Sequence, residues 1–220
     1  MPKFSACIFD LDGTLADTLG SIADIANGAL RAFHLPTIEK ERYKLMVGNG
    51  ADKLLSRMLE AVGADLSPQA FKAFRAEYDR RYAADPLGGV TAYPGLVQLL
   101  TDLKAAGVKL GVLSNKPDNM TKLIVKALYG DLPDTVQGQT DGVPKKPDPT
   151  AVLAMTAKLG VAPEEVLYVG DSGVDMDTAH NAGMLSCGVL WGFRSRQELE
   201  DHKAAYIVKD AEKLRALILP

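Results

Sequence analysis

Short apolar runs that stop at polar, glycine-containing turns recur along this chain, and helix-period stretches separate them. Ala6-Cys7-Ile8-Phe9 leads into Asp10-Leu11-Asp12-Gly13-Thr14. Val108 to Leu113 ends at Ser114-Asn115-Lys116, and Val166-Leu167-Tyr168-Val169 ends at Gly170-Asp171-Ser172. Such runs, bounded by turn residues, read as buried strands. Between them, Leu96, Leu99, Leu100 and Leu103 mark a helix closed by Gly107, and another helix runs through Leu123 and Leu128. A third (Val152, Met155, Leu159) opens after Asp148-Pro149 and is closed by Gly160. Val136 begins a further short strand; Leu185 to Leu190, Ala205 to Val208 and a helix around Leu214, Leu217 and Ile218 complete the series. Strand alternating with helix predicts an α/β fold, a Rossmann-like parallel sheet with helices on both faces.

One long stretch breaks the alternation. From Thr18 the apolar residues Leu19, Ile22, Ala26, Ala29, Leu30 and Phe33 fall at three- and four-residue steps. Ile38 to Met46 continues in helical period up to Gly48-Asn49-Gly50. Leu54, Leu55, Met58, Leu59 and Val62 follow, and Ser67-Pro68 opens a helix striped by Phe71, Phe74, Tyr78 and Tyr82. The expected organisation is a core of residues 1–16 and 85–220 carrying an inserted α-helical domain at 17–84. The length of 220 residues suits one large domain with a small insert. A net charge of −3 gives no broad cationic field for nucleic acid. No stretch approaches the ~18 apolar residues of a membrane helix. Cys7 and Cys187 stand in apolar surroundings and read as buried thiols of a reducing compartment, so a cytoplasmic location is expected.

In an open parallel sheet, ligands bind beyond the carboxyl ends of the strands. Asp10 and Asp12, Ser114, and Asp171 with Asp175 stand at three such ends, and Lys146 lies in the loop Lys145-Lys146-Pro147-Asp148-Pro149. Brought together, four carboxylates could not all stay ionised without a cation. An all-oxygen site that leaves positions open for phosphate and water suits Mg²⁺, and so implies an anionic substrate. Taken singly, each signal has a plainer reading. Asp-Leu-Asp-Gly-Thr is also a turn, Ser114 a helix cap, Lys146 a surface lysine, and the Asp171/Asp175 pair a partner for a helix dipole. A calcium loop fails on spacing, because Gly13 is fourth from Asp10 and Ser21 stands where the closing Glu belongs. The ordered set is what points to chemistry.

With these residues in place, the chain resembles the haloacid dehalogenase superfamily, in its phosphatase branch. The resemblance runs through Asp10-Leu11-Asp12-Gly13-Thr14-Leu15, Leu113-Ser114-Asn115-Lys116, Lys146-Pro147-Asp148-Pro149 and Gly170-Asp171-Ser172-Gly173-Val174-Asp175-Met176. Val47-Gly48-Asn49-Gly50-Ala51-Asp52 and Trp191-Gly192-Phe193-Arg194 are similar to phosphoglycolate phosphatases in particular. The resemblance implies a helical cap, a small phosphorylated metabolite as substrate, and Mg²⁺ held by Asp10, Asp12 (through its backbone carbonyl), Asp171 and, indirectly, Asp175. It implies Asp10 as nucleophile and Asp12 as general acid and base. Ser114, Asn115 and Lys146 are implied on the phosphoryl group, Lys146 being chosen over Lys145 because it directly precedes Pro147. Gly48 and Asn49 are implied near the substrate. Phosphoglycolate is the first expected substrate. Alternatives are another small-phosphate hydrolase, a β-phosphoglucomutase-type phosphotransferase, or, in a different class, a phospho-Asp receiver-like module. Against the receiver stands the helical insert, and against a catalytically dead binding module stand the intact Asp10, Asp12, Lys146 and Asp171.

Overall fold

The computed structural model describes residues 2–220. It resolves into two compact units: the chain up to Asp17 together with Thr91–Pro220, and the inserted Thr18–Val90. The insert therefore ends at Val90, later than the 84 expected, because the Asp85–Gly89 turn belongs with the helices before it.

In the first unit, six strands form one parallel sheet. They are β1 (Ala6–Phe9), β4 (Lys109–Pro117), β5 (Thr135–Gln139), β6 (Val166–Gly170), β7 (Leu185–Val189) and β8 (Tyr206–Val208), in the order β5-β4-β1-β6-β7-β8. The chain leaves β1 for β4 on one side and later returns to β6 on the other, so the strand order reverses at β1. This is where an open α/β sheet makes a crevice. Phe9 is in register with Val112 of β4 and with Val169 of β6. The next residues along all three strands therefore emerge at one edge of the sheet, Asp10 and Asp171 among them. All four residues of β1 and all five of β6 are buried, as strands covered on both faces must be.

The helices of this unit are α4 (Leu96–Ala105), α5 (Asp118–Tyr129), α6 (Thr150–Leu159), α7 (Gly173–Asn181), α8 (Arg196–Asp201) and α9 (Ala211–Ile218). On one face Val152, Met155 and Leu159 of α6 pack with Ile8, Leu113, Val166 and Tyr168 in a single apolar cluster. Two-residue strands β2 (Ala16–Asp17) and β3 (Thr91–Ala92) pair antiparallel where the chain departs for the insert and comes back. Strands this short have no readable period.

In the inserted unit are α1 (Leu19–Ala32), α2 (Ala51–Ala61) and α3 (Pro68–Ala84). Ser67 caps α3 by accepting a hydrogen bond from Ala70 N–H, with Pro68 in the first turn. Phe74 is wholly buried, edge-on to Phe33 with ring centroids 5.2 Å apart. The α-helix expected at Ile38 to Met46 is a 3₁₀ segment, Lys40–Leu45. Asn27 explains the difference. Its amide donates to the Ile38 carbonyl and accepts from Ile38 N–H and Tyr43 Oη, which ties the chain just before the segment and at its middle, where Tyr43 is buried. Among the described residues no helix is long and apolar enough to cross a membrane.

Candidate active site

Asp10 follows β1 directly, and its N–H donates to the Val169 carbonyl, tying it to the end of β6. Asp171 follows β6, and Asp175 lies in the first turn of α7. One carboxylate oxygen from each of these three falls within 4.8 Å of the others, and all three residues are buried. Lys146 reaches in from the loop before α6. Its Nζ lies 2.9 Å from Asp10 Oδ1 and 2.7 Å from Asp175 Oδ1. The other oxygen of Asp175 accepts from Ser172 Oγ at 2.6 Å and from Ser172 N–H at 3.1 Å. Asp175 is thus bound on both oxygens. Asp10 Oδ1 has no hydrogen-bond partner, and the ammonium beside it is an ion-pair neighbour only.

Asp171 is held by a different loop. Phe193 N–H donates to Asp171 Oδ2 at 2.7 Å, and Thr14 Oγ1 donates to Asp171 Oδ1. Trp191 Nε1 donates to the Thr14 carbonyl at 2.9 Å. Backbone approaches very closely here. A Cβ on Gly13, which has φ +86°, would collide with the Asp171 carboxylate, and a Cβ on Gly192 would collide with Asp171 and the Gly13 carbonyl. Both positions require glycine.

Electrostatics follow from this crowding. Burial, then Asp175, push the Asp10 carboxyl up from 3.8 to about 7 against the pull of Lys146. Burial, then Asp175 and Asp10, push Asp171 up to about 8, opposed by Phe193 N–H and the Arg194 charge. Burial works to lower Lys146, but Asp10 and Asp175 outweigh it and hold the ammonium well above its ordinary value. Three ionised carboxylates against one ammonium would leave an excess of negative charge in a buried site, which the raised values relieve by retaining protons where no cation is bound. Oxygen donors in that number, with an orphaned oxygen on Asp10, fit a hard divalent cation.

The whole set matches a known pattern: residues 7–189 fit the family of haloacid dehalogenase-like hydrolases. The chain belongs to that family. It is 36% identical over 220 residues to a phosphoglycolate phosphatase of Rhodospirillum rubrum, covering 97% of this chain and 90% of that one. To a phosphoglycolate phosphatase of Mannheimia succiniciproducens it is 31% identical, covering 98% and 99%. A crystal structure of a predicted phosphoglycolate phosphatase from Haemophilus somnus 129pt superposes with a TM-score of 0.91 at 29% identity, covering 99% of both chains.

The remaining expected residues of this hydrolase sit as follows. Ser114 and Asn115 lie within β4, which runs on to Pro117 with an irregular register after Leu113, so they are strand rather than loop. Ser114 Oγ accepts from Lys116 N–H and caps no helix; α5 begins after Pro117. The Asn115 amide donates to the Lys146 carbonyl at 3.1 Å and accepts from Lys146 N–H at 2.9 Å, which fixes the loop that carries Lys146. Gly48 and Asn49 belong to the inserted unit, in the turn before α2, where Gly48 has φ +117° and Gly50 φ +85°. The Asp12 carboxylate stands apart from the three-carboxylate group and meets Lys116, whose Nζ lies 3.0 and 3.1 Å from its two oxygens. The sequence places Lys116 in the Leu113-Ser114-Asn115-Lys116 motif but gives it no role, because a lysine before a proline has no period or spacing to mark a partner. It also assigned no role to Thr14 and Phe193 on Asp171. Tyr168, on β6, is fully buried with its ring centroid 5.8 Å from Lys146 Nζ and no hydrogen bond to its hydroxyl.

Proposed function

We propose that this hydrolase cleaves a small phosphate monoester through an aspartyl-phosphate on Asp10, with Mg²⁺ as its metal and 2-phosphoglycolate as its substrate, releasing glycolate and phosphate. The observation that carries this reading is the buried convergence of Asp10, Asp171 and Asp175, with Lys146 paired to Asp10 and Asp175, and Asp12 close by in sequence on a separate lysine. The relatives named as phosphoglycolate phosphatases, similar over nearly the full chain, support the choice of ester. Two buried free thiols, Cys7 and Cys187, suit the reducing cytoplasm.

Asp10 attacks phosphorus in line and divides one difficult displacement into two easier ones. Asp12 gives a proton to the departing alkoxide, then takes one from the water that hydrolyses the aspartyl-phosphate. Lys146 faces the charge on Asp10 and on the phosphoryl oxygens, which Ser114 also binds. Asp10, the Asp12 backbone carbonyl and Asp171 would hold the cation. Asp175, occupied by Ser172 and Lys146, orients its surroundings instead. Bound there, Mg²⁺ would shield the nucleophile from the phosphate and stabilise charge developing at phosphorus. Asn115 acts by holding Lys146 in place.

A panel of phosphate esters assayed for free phosphate in Mg²⁺ tests the reading, with 2-phosphoglycolate expected to give the highest kcat/KM. Excess chelator is expected to stop turnover. The only tryptophan, Trp191, bonds to the loop beside Asp171, so its fluorescence is expected to change on Mg²⁺ titration without substrate. A sugar phosphate isomerised with little phosphate released would make the chain a phosphotransferase. A long-lived phospho-enzyme would make it a receiver-like module.

A further inference from the structure

Two lysines divide the acidic residues at this sheet edge. Lys146 answers Asp10 and Asp175, while Lys116 answers Asp12. The Asp12–Lys116 contact is unlike the exposed ion pairs elsewhere on the molecule. The ammonium touches both carboxylate oxygens, at 3.0 and 3.1 Å, and the two side chains are only 6% and 11% exposed. The partners are 104 residues apart and come from different strand ends. Lys116 stands where β4 loses regular register between Leu113 and Pro117, an irregularity of the kind that re-aims side chains. Its N–H is itself tied to Ser114 Oγ, so the lysine is anchored at its backbone as well as its head.

We infer that Lys116 is a positioning residue for the general acid Asp12, fixing where its carboxyl can deliver a proton; this rests on the acid–base reading above. An aspartate in a loop swings about χ1, and a misplacement of the order of 1 Å at a proton-transfer step can cost about 10²-fold in rate. A buried ammonium across both oxygens removes that freedom. The step balances without help from the lysine. The Asp12 proton passes to the ester oxygen as the phosphorus–oxygen bond to the leaving group breaks and the Asp10–phosphorus bond forms. Lys116 keeps all its protons and faces the carboxylate left behind. The consequence is selective. Lys116 matters where the leaving group needs a proton and matters little where it departs as a stable anion.

The test compares kcat/KM, which reports steps up to alcohol release, for simple alkyl phosphates and for p-nitrophenyl phosphate at saturating Mg²⁺. Asp12→Asn is expected to lose about 10²–10⁴-fold on the alkyl esters and far less on the aryl ester. Lys116→Met is expected to show the same selectivity, with a loss of about tenfold or more on alkyl esters, and Lys116→Arg to recover much of it. Lys116→Gln serves where the methionine variant does not accumulate folded. If Asp12→Asn discriminates between the ester classes and the Lys116 variants lose equally on both, the inference is overturned. It is overturned too if the Lys116 loss is confined to esters bearing a carboxylate, whatever their leaving-group basicity, since the lysine would then be a substrate contact. An Asp12→Asn enzyme without leaving-group preference would remove the acid–base reading itself, and the role of Lys116 with it.

Discussion

In the sheet-bearing unit, Asp10, Lys116, Lys146, Asp171 and Asp175 are all buried, whereas the buried residues of the inserted helical unit include no charged side chain. The insert keeps its ions at the surface. Arg75 pairs with Asp79 and Asp52, Glu77 with Arg80 and Arg81, and Lys44 with Glu41. Its interior includes Leu30, Leu55, Met58 and Phe74, with Asn27 satisfying a polar junction at Ile38 and Tyr43. The interior of the helical unit thus packs without buried charge. In the other unit, chemistry imposes buried charge, and charge without full compensation works against stability.

The largest expected effect separates activity from stability. Asp10→Asn should abolish phosphate release, because the nucleophile is gone, yet leave the fold as stable as before. The sign follows from linkage. The Asp10 carboxyl titrates at about 7 in the fold and near 3.8 unfolded. Between those values the folded state holds more protons, so without a divalent cation its contribution falls as pH rises. Thermal melts in chelator should therefore show the variant level with the wild type at low pH and equal or better near pH 8. A variant that melts well below the wild type at pH 8 would break the comparison, since Asp10 would then be structural.

Lys146→Met should lower activity and stability together. Removing the one ammonium from among the carboxylates leaves buried charge uncompensated, a loss of about 3–5 kcal/mol for a broken buried pair. Phe74→Ala in the insert should cost a similar amount, about 3–5 kcal/mol, for a different reason: lost apolar burial and an unfilled cavity. Added Mg²⁺ tells the two apart. It should restore part of the Lys146→Met loss and raise the melting temperature of wild type and Phe74→Ala by the same increment. Denaturant unfolding with and without Mg²⁺ reads both.

What was legible beforehand follows the same division. The alternation of β1, β4, β6 and β7 with helices could be read because apolar runs and stripes are local signals. Asp10, Asp171 and Asp175 could be placed because parallel pairing carries strand ends to one edge. Contacts between distant residues could not be read. Lys116 on Asp12, Phe193 N–H on Asp171 and the Asn115 clasp on the Lys146 backbone join segments whose separations carry no period. The 3₁₀ geometry of Lys40–Leu45 was hidden for a related reason. A single Asn27 amide eleven residues before Ile38 overrides a helical apolar pattern.

The smallest expected effect lies on α3, at Glu77. Hydrogen bonds from Arg80, then Arg81, hold the Glu77 carboxyl down to about 2 from the usual 4.5. Any stability this pair gives is present above pH 4.5 and is lost as pH falls towards 2. At neutral pH both arginines reach water, salt screens them, and Glu77 can exchange partners between the two, so Glu77→Ala should change the melting temperature only slightly in physiological salt. Differential scanning calorimetry at low and physiological ionic strength checks this. A clear loss that persists in salt would mean that the helical unit, too, depends on fixed charge. The contrast between a unit held by packing and one burdened by its chemistry would then fail at its simpler half.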